Sequence, residues 1–188
     1  MRLRRSLIVL VLLGLGKLAA ACPAYADGPW KGQIVDAETG TPLDGVIVLA
    51  YWVKFTASVG GWAGGDFVDA EEVVTGSDGR FVIPPHSTFT LLPWRKIKGQ
   101  LVILKSEYGQ WAFRGGNPLL ESIWTRLERE GEIIELPRLR TREERHEFYT
   151  LKFSIPTLVP FQRVPRLRQA IDDERVYLGL GKMYERTP

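Results

Sequence analysis

Cysteine is almost absent from this sequence: Cys22 is alone among 188 residues. A disulfide framework is therefore excluded. Histidine is nearly as scarce, with only His86 and His146. Neither stands in an H-E-x-x-H or H-x-x-E frame, so the two-histidine set of a zinc hydrolase is missing. His86 follows two prolines and His146 lies between Arg145 and Glu147, which reads as structural or solvent-facing histidine. No serine stands in G-x-S-x-G. The clusters "GGWAGG" and "GLGLG" match no phosphate-loop spacing, and "LGLGK" lacks the following Ser or Thr. The sequence points to no catalytic, cofactor or metal residues.

A long apolar run is also missing. "SLIVLVLLGLG" is well short of the roughly 20 residues that a spanning helix needs. It follows the basic "MRLRR" and precedes "AYA", whose small-x-small pattern suits signal peptidase. Residues 1–26 thus read as a signal peptide cut between Ala26 and Asp27, for export to the periplasm or beyond. "LAAAC" offers a second reading, a lipobox that would place a lipid anchor on Cys22 in the outer membrane. Ala19 stands where that motif usually has Leu, and Pro23 follows the cysteine, so removal of Cys22 with the leader is preferred.

Excess positive charge disappears with the leader. Of 25 basic residues, Arg2, Arg4, Arg5 and Lys17 fall in the first 26; the other 21 face 22 acids. A nucleic-acid partner, which needs a concentrated basic face, is not expected. The acids gather before Leu136 and the bases after it, so a basic tail should dock on an acidic core within the chain.

What is abundant is strand and turn signal. "WKGQIVD" leads into "AETGTPLDG", where Gly40 and Pro42 mark a turn, and then into "GVIVLAYWVKF". Together they read as a hairpin. In the second stretch Val46, Val48, Ala50 and Trp52 alternate with Ile47, Leu49, Tyr51 and Val53. A strand apolar on both sides should be central and covered twice, or shielded by the tail. "TASVGGWAGGD" reads as a glycine-rich loop and "FVDAEEVVT" as a weaker strand. "GSDG" is a tight turn before "RFVIPP"; "GQLVILKSEYGQWAFRG" and "EIIELPRL" supply the remaining strands. Regular spacing of such strands argues for an antiparallel sandwich.

Three segments read as helix. "NPLLESIWTRLEREG" has Asn117 as cap, Pro118 in the first turn and Leu120, Ile123, Trp124 and Leu127 on one face. "TREERHEFYTLKF" opens with a capping box, Thr141 with Glu144. "PRLRQAIDDERVYLGLG" carries Leu167, Ala170, Ile171 and Leu178 along one side and stops at Gly179.

The blocks "GQIVDAETGTPLDGVIVLA", "TGSDGRFVIPP" and "LVILKSEYG" resemble the carboxypeptidase regulatory-like domain, a small transthyretin-like (prealbumin-like) β-sandwich. Gly32, Asp36, Thr39, Gly40, Pro42, Leu43, Gly45, Val46 and Val48 stand in its first motif, and Thr75, Asp78, Gly79 and Phe81 in its second. Gly76 occupies a position where Asp is commoner. The resemblance covers Trp30 to Gly109 and implies a seven-strand sandwich that supports folding, association or surface presentation. It implies no activity of its own. The fold also hosts a hydrolase of purine breakdown products that uses several histidines and a terminal Tyr-Arg-Gly-Ser; "YERTP" and two histidines do not fit it.

The expected architecture is therefore mainly β: a transthyretin-like sandwich over 27–139 with an inserted helix, and a helical extension over 140–188 packed on it. The expected function is that of a non-enzymatic exported cell-envelope protein that binds or assembles with an envelope protein or glycan. A carbohydrate- or peptidoglycan-binding module is the first alternative, and a hydrolase accessory domain the second. The first alternative rests on aromatics. Trp52, Trp94 and Trp124 lie in apolar patterns and are expected in the core. Trp62, in a glycine loop, and Tyr108 and Trp111, flanking Gly109, are the candidate contacts for a ligand or partner. Asp66, Asp69, Glu71 and Glu72 offer oxygen ligands for Ca²⁺, yet alternation splits them between two faces of a strand, which favours a solvated face.

The two readings of Cys22 give opposite results in palmitate labelling. Cleavage after Ala26 leaves the exported protein unlabelled in both wild type and Cys22→Ala. Lipidation gives a labelled wild type whose label disappears in Cys22→Ala.

Overall fold

The computed structural model describes residues 26–115 and 122–183. Residues 1–25 of the expected leader, Cys22 among them, and the expected cap and first turn at Asn117, Pro118 and Leu120 lie outside them. The described residues form a mainly β structure of two principal sheets. One has the order β5 (Arg80–Ile83), β2 (Trp30–Asp36), β9 (Ile133–Leu136), β8 (Ala112–Phe113). The other has the order β4 (Gly61–Val74), β3 (Ile47–Ser58), β7 (Arg95–Leu104). A two-residue pair, β1 (Ala26–Asp27) with β6 (His86–Ser87), lies apart from both. Pairing is antiparallel except for β2 with β9, which run parallel. The expectation of a wholly antiparallel fold fails there because the tail-ward strand returns after α1 (Ile123–Leu127), a crossover that permits parallel entry.

β3 organises the molecule. Val46 at its entrance, then Val48, Ala50 and Trp52, face the four-strand sheet and join Trp30, Ile34, Phe81, Ile83, Ile134 and Leu136 in the core between the sheets. Ile47 and Leu49 face the other way and join Leu104 and Ala70 in a second core. The tail covers this outer face. α2 (Arg142–Glu147) runs into a wide helical turn, Phe148–Lys152, and α3 (Pro165–Leu178) follows a short turn at Phe161–Arg163. Phe148, Val159, Val164, Leu167 and Ile171 are the tail's buried side chains in that core. Each such side chain contributes about 1.5–3 kcal/mol on leaving water.

Local signals fix the ends of these helices. Thr141 and Glu144 form the expected reciprocal capping box of α2. α3 ends at Gly179 in the left-handed conformation. Its first turn has no cap of its own; instead the Glu72 carboxylate, on β4, accepts the N–H groups of Arg166 (3.0 Å) and Leu167 (2.7 Å). The negative charge also meets the positive end of the helix dipole.

Three expectations need correcting. "GQIVDAETGTPLDGVIVLA" is a corner rather than a hairpin, because β2 and β3 belong to different sheets. The turn is as tight as expected, with Gly40 N–H donating to the Asp36 carbonyl (2.9 Å), but the chain crosses to the second sheet after Leu43. Thr75 pins that crossing: its hydroxyl donates to the Leu43 carbonyl (2.7 Å) and accepts from Val46 N–H (2.9 Å). The glycine-rich stretch around Trp62 is not a loop either. β3 and β4 extend through it, with irregularities in register, and turn only at Val59 and Gly60. Finally, α1 is short, and Ile123 on its expected apolar face is exposed, while Trp124 and Leu127 pack on the inter-sheet core.

Gly79 gives a direct test of the turn that joins β4 to β5. Its φ is +69°, and a Cβ there would meet the Ile34 carbonyl oxygen at 2.4 Å. Gly79→Ala is expected to cost at least about 2 kcal/mol in urea unfolding. Gly76→Ala in the same turn, with no backbone or core atom in the way, is expected to cost less than about 1 kcal/mol.

Candidate functional site

One end of the three-strand sheet carries a group of exposed apolar side chains. The β3–β4 hairpin turns there, and Gly61 takes a φ of +113° that side chains rarely adopt. Trp62 pairs with Ala57 on one side of β3. On the other side the Trp94 carbonyl accepts the Ala57 N–H (2.7 Å), and Arg95 begins β7 opposite Thr56. Two tryptophans thus flank the same residue of the central strand, 48% and 50% exposed. Val59 at the hairpin turn and Phe89 and Leu91 in the segment before β7 are exposed as well, Leu91 at 85%. That segment is folded back by its own bonds: the Thr90 hydroxyl reaches the carbonyls of Leu92 and Arg95.

Basic side chains border the apolar group. Lys96 Nζ lies 3.6 Å from the centroid of the Trp62 ring, a cation–π contact. Desolvation, and then the charge of Lys98, hold the Lys96 ammonium below the ordinary lysine range. Arg95 and Lys98 are exposed, and Lys54 pairs with Asp66 at 3.2 Å.

Of the three aromatics singled out from sequence, only Trp62 belongs to this end. Tyr108 is 8% exposed, contrary to expectation. Its hydroxyl donates to Asp36 Oδ2 (3.1 Å), so a ring beside a glycine has found both an apolar slot and a polar partner. Trp111 is half-buried against the inter-sheet core, edge-on to Phe113. Both lie beyond Leu104, which pairs with Ile47, whereas Trp62 pairs with Ala57. Ten strand residues, or about 33 Å, separate those levels, so the three rings share no surface. Trp94 is the ring that sequence patterning misplaced. The apolar "LLPW" suggested burial, but Trp94 stands at the end of the sheet and is half exposed.

The candidate polar residues are absorbed by the structure around them. His86 stacks on Trp52 at 3.8 Å and places Nε2 3.4 Å from Asp69, whose carboxylate also accepts from Arg163 of the tail. Asp69 takes the N–H of Ala70 as well (2.9 Å), while Arg163 donates to the Ala70 carbonyl (3.0 Å). Asp66, Asp69 and Glu72 therefore serve three different partners. Among the described residues no three His, Cys, Asp or Glu side chains are placed to hold a metal ion. His146 lies on α2, lining a separate hollow with Arg142 and Leu178.

A second cleft of about 440 Å³ lies where the tail meets the four-strand sheet, lined by Asp36, Glu107, Arg138, Arg145 and Tyr177. Arg145 makes a two-pronged bond to Glu174 (2.6 and 2.7 Å), whose side chain is 1% exposed, and its guanidinium lies over the Tyr177 ring. The bonds to Glu174 hold Arg145 even more firmly charged than usual. Glu107, at a φ of +70°, reaches Arg145 and Arg138 from the sandwich. These charges answer one another, and they make this cleft the clasp by which the tail is held. The expected docking of basic tail on acidic core is seen here and at Arg140–Glu38 and Arg163–Asp69.

No family model, no curated protein and no solved structure matches this chain. The hairpin end is thus judged on its geometry alone. Its groups are suited to contact: large apolar rings, bordered by cations, on a rigid sheet.

Asp36 supplies a measurable pH effect in the clasp. The Thr39 N–H, then those of Glu38 and Tyr108 Oη–H, hold its carboxyl below the ordinary 3.8 despite burial. A lowered folded-state value stabilises above the unfolded value and ceases to as pH falls through the folded one. Asp36→Asn is expected to cost about 1–3 kcal/mol near neutrality. That difference should hold down to about pH 5 and shrink below about pH 4 in denaturation curves taken across pH.

Proposed function

We propose that this chain is an exported, non-enzymatic envelope protein, a transthyretin-like β-sandwich that binds a partner through the hairpin end of its three-strand sheet. The observation that supports the reading is the gathering of Val59, Trp62, Phe89, Leu91 and Trp94 at one end, all exposed. Exposed apolar residues scattered singly need no explanation, but a contiguous group bordered by charge marks an interaction surface. Aromatics supply large contact area for little lost side-chain freedom, which suits them to anchoring. The sandwich motifs in the first half of the sequence support the scaffold role. The leader supports export, and the paired charges of the tail support a rigid rather than a catalytic back.

Photo-cross-linking in cells tests this. A benzophenone amino acid at Leu91 is expected to give an adduct on irradiation, diminished by Trp62→Ala with Trp94→Ala. The same group at Val82, an exposed site on β5, is expected to give none. Absence of an adduct from position 91, or equal adducts from both positions, overturns the reading.

A further inference from the structure

The direction of the chain at the hairpin end narrows what the partner is. β1 pairs antiparallel with β6, Ala26 with Ser87 and Asp27 with His86. Moving back from Ala26 toward the start of the sequence therefore follows the same direction as moving forward from Ser87 into Thr88, Phe89 and Leu91. The chain enters β1 from the side on which the exposed segment lies. Cys22 is four residues before Ala26, so the chain can take it no further than about 14 Å from β1. The apolar "SLIVLVLLGLG" ends six positions before Cys22. If Cys22 carries a lipid, that anchor lies within this reach of β1.

The side chains at this end match a membrane surface. Trp62 and Trp94 are of the residue type that collects at the level of lipid headgroups, with the ring in the apolar zone and the indole N–H in the polar one. Val59, Leu91 and Phe89 are the apolar points that would enter just beneath. Arg95, Lys96 and Lys98 lie beside them at the start of β7, with Lys54 engaged by Asp66. A row of cations on β7 beside apolar tips is complementary to anionic headgroups rather than to a neutral glycan.

We infer that the hairpin end docks the sandwich onto a bilayer surface carrying anionic lipid, with Val59, Trp62, Leu91 and Trp94 in the interface and Arg95, Lys96 and Lys98 on the headgroups. This rests on the reading of that end as the binding surface and names its partner. The docked domain stands with β3 rising from the membrane, and the clasp with its arginines lies at the far end.

The test uses the full chain with Cys22→Ser and a single Val59→Cys bearing an environment-sensitive fluorophore, and a matched chain labelled at Val82→Cys. Vesicles of phosphatidylcholine with about 30 mol% phosphatidylglycerol are compared with phosphatidylcholine alone. The label at position 59 is expected to shift to the blue and to be quenched by brominated acyl chains in the anionic vesicles, and the label at 82 to stay as in buffer. Lys96→Gln and Lys98→Gln should each lower the ratio of docked to undocked label about fivefold. Raising ionic strength to about 1 M, where the Debye length is only about 3 Å, should lower it similarly. An unchanged label at 59, or equal shifts at 59 and 82, overturns the inference. If the cross-link from Leu91 survives that result and leads to a protein or glycan, the binding surface stands and only its membrane partner falls.

Discussion

A strand that is apolar on both faces must be covered twice, and β3 imposes that demand on the whole chain. Its inner face is met by the four-strand sheet, which closes the sandwich. Its outer face would remain in water if the chain stopped at β9. The tail answers this with Leu167, Ile171, Phe148 and Val164, residues from two separate stretches gathered over Ile47 and Leu49. The basic character of the tail is secondary to this. Ion pairs such as Arg145 with Glu174 and Arg163 with Asp69 orient segments that burial holds in place. Removing the buried Glu174 carboxylate would strip Arg145 of its two-pronged partner and leave the more distant Glu107 (3.5 Å) to answer its charge, so the clasp is specific as well as adhesive.

How much of this was legible in the sequence depends on whether a signal was local. The capping box at Thr141, the stop at Gly179 and the alternation along β3 are local, and all three appear in the structure as read. The corner after β2 was not, because a turn of identical residues can join paired strands or pass between sheets. What decides is the bond from Thr75 across more than thirty residues, and spacing along the chain carries no trace of it. The parallel pairing of β2 with β9 escaped for the same reason. Glu72 was weighed as a metal ligand or a solvated acid, and it is instead the cap of a helix ninety residues later.

The aromatics show the same limit at the candidate site. Trp62 was found because glycines surround it, and that local signal survives although the loop became a hairpin. Tyr108 also lies beside a glycine, yet Asp36 from the first strand gives its hydroxyl a partner and the ring closes over the core edge. Trp94 has apolar neighbours in sequence and open space in the fold. Exposure belongs to the end of a sheet, and no sequence window reports where a sheet ends.

The bond network at Ala70 has a consequence for behaviour in a crowded compartment. β4 is an edge strand, and the outward N–H and C=O of an edge invite a strand from another molecule. At Ala70 both groups are already taken, the N–H by the Asp69 carboxylate and the carbonyl by Arg163. The tail therefore does more than cover an apolar face. By carrying Arg163 to that edge it closes one point of the β4 row to a second copy, and a chain that lost its tail would open that point along with its second core.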